Sequence, residues 1–297
     1  MYKRQGGGST IDSAKAIAVM ACNDGDFWNY VTGGSGKGRP VTKALPIIAI
    51  PTTAGTGTEA DPWAVITNEE KQEKIGFGCS LTFPALSIID PELMISIPPH
   101  LTAYQGFDAF FHAAEGFIAN CATPISDLYA LEAIRLLYKY LPVAVNDGKN
   151  LKARAKVAWA STLAGLVEAT SSCTSEHSME HAMSAYYPQL PHGAGLIALS
   201  EAYFETFRND CMKRYMKMAD VMTQQKSNRP SDFIDALARM KKECHVDNIK
   251  LSEWGLKEED LPKMVQNARD TMGGLFTLDP RPLTDDEVLN IYRQSYK

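Results

Sequence analysis

LPIIAIPTTAGTGTE, residues 45–59, opens as an unbroken apolar run and closes as a turn of threonine and glycine. Leu45–Ile50 lacks the alternation of a half-wet strand, so it suits a strand buried on both faces of a parallel sheet. Ala85–Ile89 runs the same way into Asp90–Pro91. In an open α/β sheet, ligands gather at the carboxyl ends of the strands. Thr52, Thr53, Thr56 and Thr58 lie at such an end and offer hydroxyls of the kind that meet phosphate, ribose or nicotinamide. Lys74 follows shortly and is a candidate for a phosphate charge. An ordinary Thr/Gly loop and a solvated lysine are the plain alternatives.

Upstream, GGGSTIDSAK (6–15) carries a second glycine turn. A helix is predicted from about Thr10 to Ala21, with Ser9 as N-cap and Ile11, Ala14, Ile17 and Ala18 as its apolar stripe. Glycines before a helix let backbone amides approach a phosphate, and the helix N-terminus favours its charge. Gly7, Gly8, Ser9 and Asp12 are therefore candidate cofactor contacts. GGGS is also flexible-linker chemistry, but a linker does not ordinarily run into an amphipathic helix.

Past Pro98–Pro99 the texture turns helical. Asp108–Asn120, Ile125–Leu141, Leu151–Ala169, His177–Ala185 and Ser231–Cys244 carry apolar residues at helical period. Prolines 124, 142, 188, 191, 230, 262, 280 and 282 fall between these segments or at their edges. The chain is thus expected to hold a partial dinucleotide-binding α/β domain over 1–97, with an incomplete Rossmann-like parallel sheet. An all-helical domain over 98–297 is expected to follow, carrying the metal and the chemistry.

Asp108 and His112 stand four apart within Gly106-Phe107-Asp108-Ala109-Phe110-Phe111-His112-Ala113-Ala114-Glu115, and so share a helix face. Embedded among Phe and Ala, that carboxylate points inward and needs a cation. His177 and His181 repeat the spacing, and His192 sits in a Pro-His-Gly turn. One carboxylate with several imidazoles suits Fe(II), Zn(II) or a neighbouring ion, and donor softness does not choose among them. Hydrogen-bonded core pairs are the competing reading. His100 and His245 stand outside the pattern. Trp63, Phe110 and Phe111 are candidates for an apolar pocket lining.

The bulk numbers exclude several classes. The 297 residues are 45% hydrophobic and 22% charged, with a net charge of −5 mixed along the chain. No basic stripe suggests nucleic acid, no apolar run approaches a membrane span, and MYKRQGGGST has no signal-peptide core. The six cysteines form no CxxC pair and read as buried small hydrophobes in a reducing cytoplasm.

Taken in order, GGGSTIDSAK (6–15), PTTAGTGTE (51–59), IDPEL (89–93), GFDAFFHAAEG (106–116), HSMEHAMSA (177–185), LPHGAGL (190–196) and DPRPLTDDE (279–287) resemble the iron-containing (group III) alcohol dehydrogenase family along nearly the whole chain. The resemblance implies the dehydroquinate synthase-like fold of that family. It also implies Asp108, His112, His177 and His192 as ligands of Fe(II) or Zn(II), and His181 as the extra histidine facing the cofactor and relaying a proton. Further implied are NAD(H) or NADP(H) on the two Gly/Thr turns, a small aldehyde or alcohol substrate, and a homodimer. The His177–His192 spacing is one residue longer than the family's commonest pattern, and Tyr186–Leu190 is expected to absorb it. Met1–Gln5 is polar where the family has an apolar strand, so the start of the nucleotide-binding domain is expected to be missing. A catalytically incompetent fragment is one alternative. Others are an H-x-x-E-H zinc peptidase on His177 and His181 with Glu180 as base, and a dehydroquinate synthase-type relative.

Overall fold

A computed structural model describes residues 2–296. Three strands, β1 (Tyr2–Gly6), β2 (Ile47–Pro51) and β5 (Leu86–Ser87), form a parallel sheet in the order β1-β2-β5. The polar start, expected to replace a strand, is itself β1, because backbone pairing along β2 does not require apolar side chains. In the register Gly6 lies opposite Pro51. The glycine turn and the threonine turn therefore leave the sheet at the same level. β3 (Ala64–Asn68) and β4 (Glu73–Phe77) form an antiparallel hairpin that the sequence reading did not anticipate.

Helix α1 (Gly8–Met20) starts earlier than expected. Its N-cap is Gly7, with no side-chain cap, and Ser9 lies within the first turn. Ile11, Ala14 and Ala18 are buried against the sheet as the stripe requires, whereas Ile17 is only half-buried. Lys15 on the same helix is fully buried. Its ammonium donates to Thr58 Oγ1 at 2.7 Å, to Asp61 Oδ1 at 3.2 Å, and to the carbonyls of Asp61 and Trp63. Asp12 completes this knot, accepting from Thr58 Oγ1 at 2.8 Å and from the Val65 amide at 2.9 Å.

The remainder is helical: α2 (Pro99–Ile118), α3 (Pro124–Asn146), α4 (Leu151–Thr170), α5 (Ser175–Tyr186), α6 (His192–Thr206), α7 (Met212–Thr223), α8 (Ser231–Glu243), α9 (Leu261–Phe276) and α10 (Asp285–Tyr296). α2 begins at Pro99 and is buried nearly all round, as its continuous apolar sequence demands of a central helix. Phe110 and Phe111 are core residues stacked on Phe233 and Phe204, so they do not line a pocket. Pro142 lies inside α3 near its end, where losing one hydrogen bond is tolerated, and does not break the helix. His192 is the first residue of α6, with Pro191 as N-cap, and not part of a free turn. α6, α7, α9 and α10 add to the helices expected from periodicity.

α5 carries its apolar stripe on Met179, Ala182 and Met183 among many polar residues, yet it is buried from Ser175 to Ala185. Many of its polar groups are satisfied by neighbours, though both oxygens of Glu176 and His177 Nε2 are buried without a partner among the described residues. At its start, Asp279 Oδ1 accepts from the Ser175 amide and from the Tyr203 hydroxyl, each at 3.0 Å. The threonine turn is locked onto α4 at Gly57, whose φ is +64° and whose missing Cβ would lie 2.5 Å from the Cα and N of Gly165.

Two outcomes follow. Gly57→Ala strains the backbone and collides with main chain, so it should lower stability by about 2–4 kcal/mol in thermal unfolding; an unshifted melting curve would remove that contact from the fold's constraints. Burial pushes the Asp279 carboxyl up to about 7, against the bonds from Ser175 and Tyr203. A raised folded value means its contribution is present at low pH and is lost as pH rises through about 7. Wild type should therefore lose stability relative to Asp279→Asn between about pH 4 and about pH 7, and parallel stability–pH curves for the two proteins would refute this.

Candidate metal centre and cofactor cleft

Asp108 and His112 face one way from α2 because they stand one turn apart. α5 brings His177 and α6 brings His192 to the same point. Asp108 Oδ1 lies 3.6 Å from His112 Nε2, 3.6 Å from His177 Nε2 and 3.4 Å from His192 Nε2. The first two separations are too long for hydrogen bonds, and the set crowds three nitrogens around one oxygen. Asp108 Oδ1 and His177 Nε2 are buried and find no hydrogen-bond partner among the described residues. Such orphaned buried polar atoms are costly. A divalent cation bound by these four side chains removes that cost, so the residues fit the ion.

Without the ion, the electrostatics pull these side chains in different directions. Burial raises the Asp108 carboxyl, but the imidazoles of His112, His192 and His177 crowded around it overcome that and hold it well below the usual range. Burial pushes His112 down to about 3, against the attraction of Asp108, so its imidazole is neutral and available as a ligand. His181 is driven well down, by burial first and then by Lys74 and the other histidines. Burial also pulls His177 down, but Cys173, Glu115 and Asp108 more than reverse it, and it is raised well above its usual value.

Each of the three converging imidazoles has a second carboxylate on its far nitrogen. Glu115 meets His177 Nδ1 and is itself fixed by the amide and hydroxyl of Thr174 at 2.8 and 2.9 Å. Glu180 meets His192 Nδ1, with Lys74 Nζ at 3.0 Å and the Ser184 hydroxyl as further partners. Glu168 Oε1 faces His112 Nδ1 at 3.5 Å. Carboxylates behind ligating imidazoles fix ring orientation and raise basicity. The sequence reading missed these three as a set. The signal was there in part: Glu115 and Glu180 are each three residues from a candidate histidine, on helices too apolar or too short of solvent to leave a glutamate idle. Glu180 cannot serve as a peptidase base, since both its oxygens are engaged and His177 turns toward Asp108.

One cavity of about 300 Å³ joins this cluster to the two turns. Ser9, Thr56, Trp63 and His181 line it together with Asp108, His112, His177 and His192. Asp12, Thr58 and Lys74 also border it, but their polar atoms are committed elsewhere: Asp12 and Thr58 to the Lys15 knot, Lys74 to Glu180 and to His192 Nδ1 at 3.2 Å. Lys74 thus sits at the metal end of the cleft and does not meet the glycine turn. Gly7, Gly8, Thr52 and Thr53 lie behind the lining and form the seam between the turns. A Cβ on Gly8 would stand 2.5 Å from Thr56 Cγ2, and the Thr52 amide donates to Gly6 at 2.9 Å. His100 and His245 are exposed and remote from the cluster.

Comparison with known proteins bears on this geometry. Residues 5–91 match the family model for iron-containing alcohol dehydrogenases, and residues 102–296 match the model for the C-terminal region of that family. Alcohol dehydrogenase 4 of Saccharomyces cerevisiae is 32% identical over 294 residues, covering 98% of this chain and 75% of the yeast protein. The NAD-dependent methanol dehydrogenase of Bacillus methanolicus is 32% identical over 306 residues, covering 98% and 75%. The crystal structure of an archaeal halo-thermophilic alcohol dehydrogenase from a Red Sea brine pool superposes with a TM-score of 0.94 at 36% identity, over 99% of this chain and 76% of that one.

His177→Ala should abolish stoichiometric loading with Zn(II) or Fe(II) when metal is quantified after dialysis. Glu115→Gln should keep the fold and weaken metal affinity about 10- to 100-fold. Full metal occupancy in His177→Ala would break the ligand assignment.

Proposed function

The chain belongs to the iron-containing alcohol dehydrogenase family, and from that membership we propose that it interconverts a small alcohol and its aldehyde by hydride exchange with NAD(H). The observation that carries this reading is the single cavity in which the phosphate-type turns and the Asp108 cluster meet. A dehydrogenase needs its cofactor and its polarising centre in one water-poor space. The NAD preference draws on the methanol dehydrogenase relative, whose name specifies that cofactor.

Asp108, His112, His177 and His192 would hold Fe(II) or Zn(II), which supplies Lewis acidity toward the substrate oxygen. The chain's own residues do the rest. The start of α1 leaves first-turn amides without partners inside the helix, and Ser9 in the lining presents this end to a pyrophosphate, with Gly7 and Gly8 shaping the turn behind it. Thr56 stands in the same lining and is suited to cofactor hydroxyls. Trp63 also lines this cavity. Lys74 clamps the β3–β4 hairpin onto α5 and α6 through Glu180 and His192.

His181 is 3% exposed, with Nδ1 against Met272 Sδ at 2.8 Å, so Nε2 is the nitrogen left for exchange. As a neutral imidazole it is placed to hold and pass a proton between substrate and solvent.

Anaerobically loaded protein, assayed for NADH oxidation with butanal, should turn over with one ion per chain. His181→Ala should lower kcat about 100-fold or more while metal content stays at wild-type level. Full metal loading with no turnover on any short aldehyde, with either NADH or NADPH, would overturn the proposed activity. Unchanged kcat in His181→Ala would remove that residue from proton transfer.

A further inference from the structure

GGSGKGRPVTK, residues 33–43, lies outside the metal centre and the two cofactor turns. It holds Lys37, Arg39 and Lys43, all exposed, and no acidic residue. Its backbone is tied down: the amides of Lys37, Gly38 and Arg39 donate to the carbonyls of Trp28, Val31 and Asn29 at 3.2, 2.8 and 2.8 Å. The Arg39 guanidinium lies 5.4 Å from the centre of the Tyr30 ring and makes one long hydrogen bond, 3.4 Å, to the Asp24 carbonyl. Among the described residues no carboxylate pairs with it. Tyr30 and Arg39, with Val41 and Phe77, border a second cavity of about 230 Å³. It adjoins the cleft of the proposed reaction, since Trp63 and Gly76 line both. The indole is the shared wall. A Cβ on Gly78, which also borders the second cavity, would stand 2.6 Å from Trp63 Cε3, so the ring lies against that glycine. Lys15 fixes the Trp63 carbonyl at 2.6 Å, but the residue is 40% exposed, so its side chain is not locked into the core.

We propose that this second cavity takes the far end of the substrate, and that the far end is a carboxylate held by Arg39. The substrates are then ω-hydroxy acids and the corresponding aldehyde acids, with the hydroxyl-bearing carbon in the first cavity. A guanidinium fork matches the two oxygens of a carboxylate, and a loop of one charge sign gathers anions at its mouth. Val41, Phe77 and the Trp63 indole give the intervening methylenes apolar walls. In the oxidative direction NAD+ takes the hydride from the hydroxyl-bearing carbon and the hydroxyl proton leaves to solvent, while the carboxylate is unchanged. The inference rests on the alcohol–aldehyde reading of the first cavity and deepens it by naming the substrate class.

The test uses the full metal-loaded chain with NAD+ and pairs of alcohols of equal length: 4-hydroxybutanoate with 1-butanol, 6-hydroxyhexanoate with 1-hexanol, 8-hydroxyoctanoate with 1-octanol. In at least one pair the hydroxy acid should exceed the plain alcohol in kcat/KM by about tenfold or more, chiefly through KM. Arg39→Gln should erase that advantage while changing kcat/KM for the plain alcohol by less than about twofold. Added salt should shrink it. No acid advantage in any pair would overturn the inference, and that wild-type result stands even if Arg39→Gln fails to fold. So would an advantage that survives Arg39→Gln. Titration calorimetry with the same alcohols separates this inference from the reading beneath it. Tighter binding of a hydroxy acid than of its plain partner, lost in Arg39→Gln but without turnover of any alcohol, would keep the carboxylate site and sink the dehydrogenase. Turnover of plain alcohols without an acid preference would do the reverse, and neither turnover nor Arg39-dependent binding would overturn both.

Discussion

A carboxylate placed 4% exposed among phenylalanines and alanines has to be neutralised, and Asp108 is that carboxylate. Three imidazole nitrogens crowd around one of its oxygens, none of them closer than 3.4 Å. The arrangement makes sense only with a positive charge between them. Everything else in the helical part is arranged to bring α2, α5 and α6 to that point. α2 runs through the middle of the bundle because nearly every one of its faces is apolar. α5 is drawn inside both by Met179, Ala182 and Met183 and by polar side chains such as His177 and Glu180 that reach the centre.

The charges around the cluster are layered. Asp108 stands inside, the imidazoles around it, and Glu115, Glu168 and Glu180 outside them. The outer layer is anchored in turn by Thr174, Cys173, Ser184 and Lys74. Such layering fixes which nitrogen of each ring faces inward, and burial keeps His112 neutral so that it can ligate. Lys74 has a second consequence. It comes from the β3–β4 hairpin, so the outer layer ties the α/β part to the helices that hold the histidines.

The cofactor side is held by a different device. The register of β1 on β2 puts the two turns side by side. The Lys15 knot then binds α1, the threonine turn and the hairpin strand β3 through one buried ammonium and the Asp12 carboxylate. Two carboxylates face that ammonium, and burial raises both, Asp61 to about 7. Removing Lys15 would leave both without a counter-charge in a dry interior, where such a loss is costly. The glycines next to this knot serve close packing as much as phosphate approach, as the absent Cβ of Gly8 against Thr56 shows.

Local pattern determined a good deal here. The apolar run 45–50 announced a buried strand, the i, i+4 spacing put Asp108 and His112 on one face, and the helical period outlined α2, α3, α4, α5 and α8. What local pattern left open is where each polar group points. Asp12 and Thr58 have the composition of ligand contacts, yet a lysine on the next turn of the same helix claims them. Lys74 has the look of a phosphate partner but meets a glutamate more than a hundred positions away. Glu115, Glu168 and Cys173 acquire roles only because α2, α4 and the start of α5 converge. Periodicity is a property of neighbours along the chain, so sequence alone fixes which face a residue occupies. Partners are a property of neighbours in space, and only the packed structure decides them.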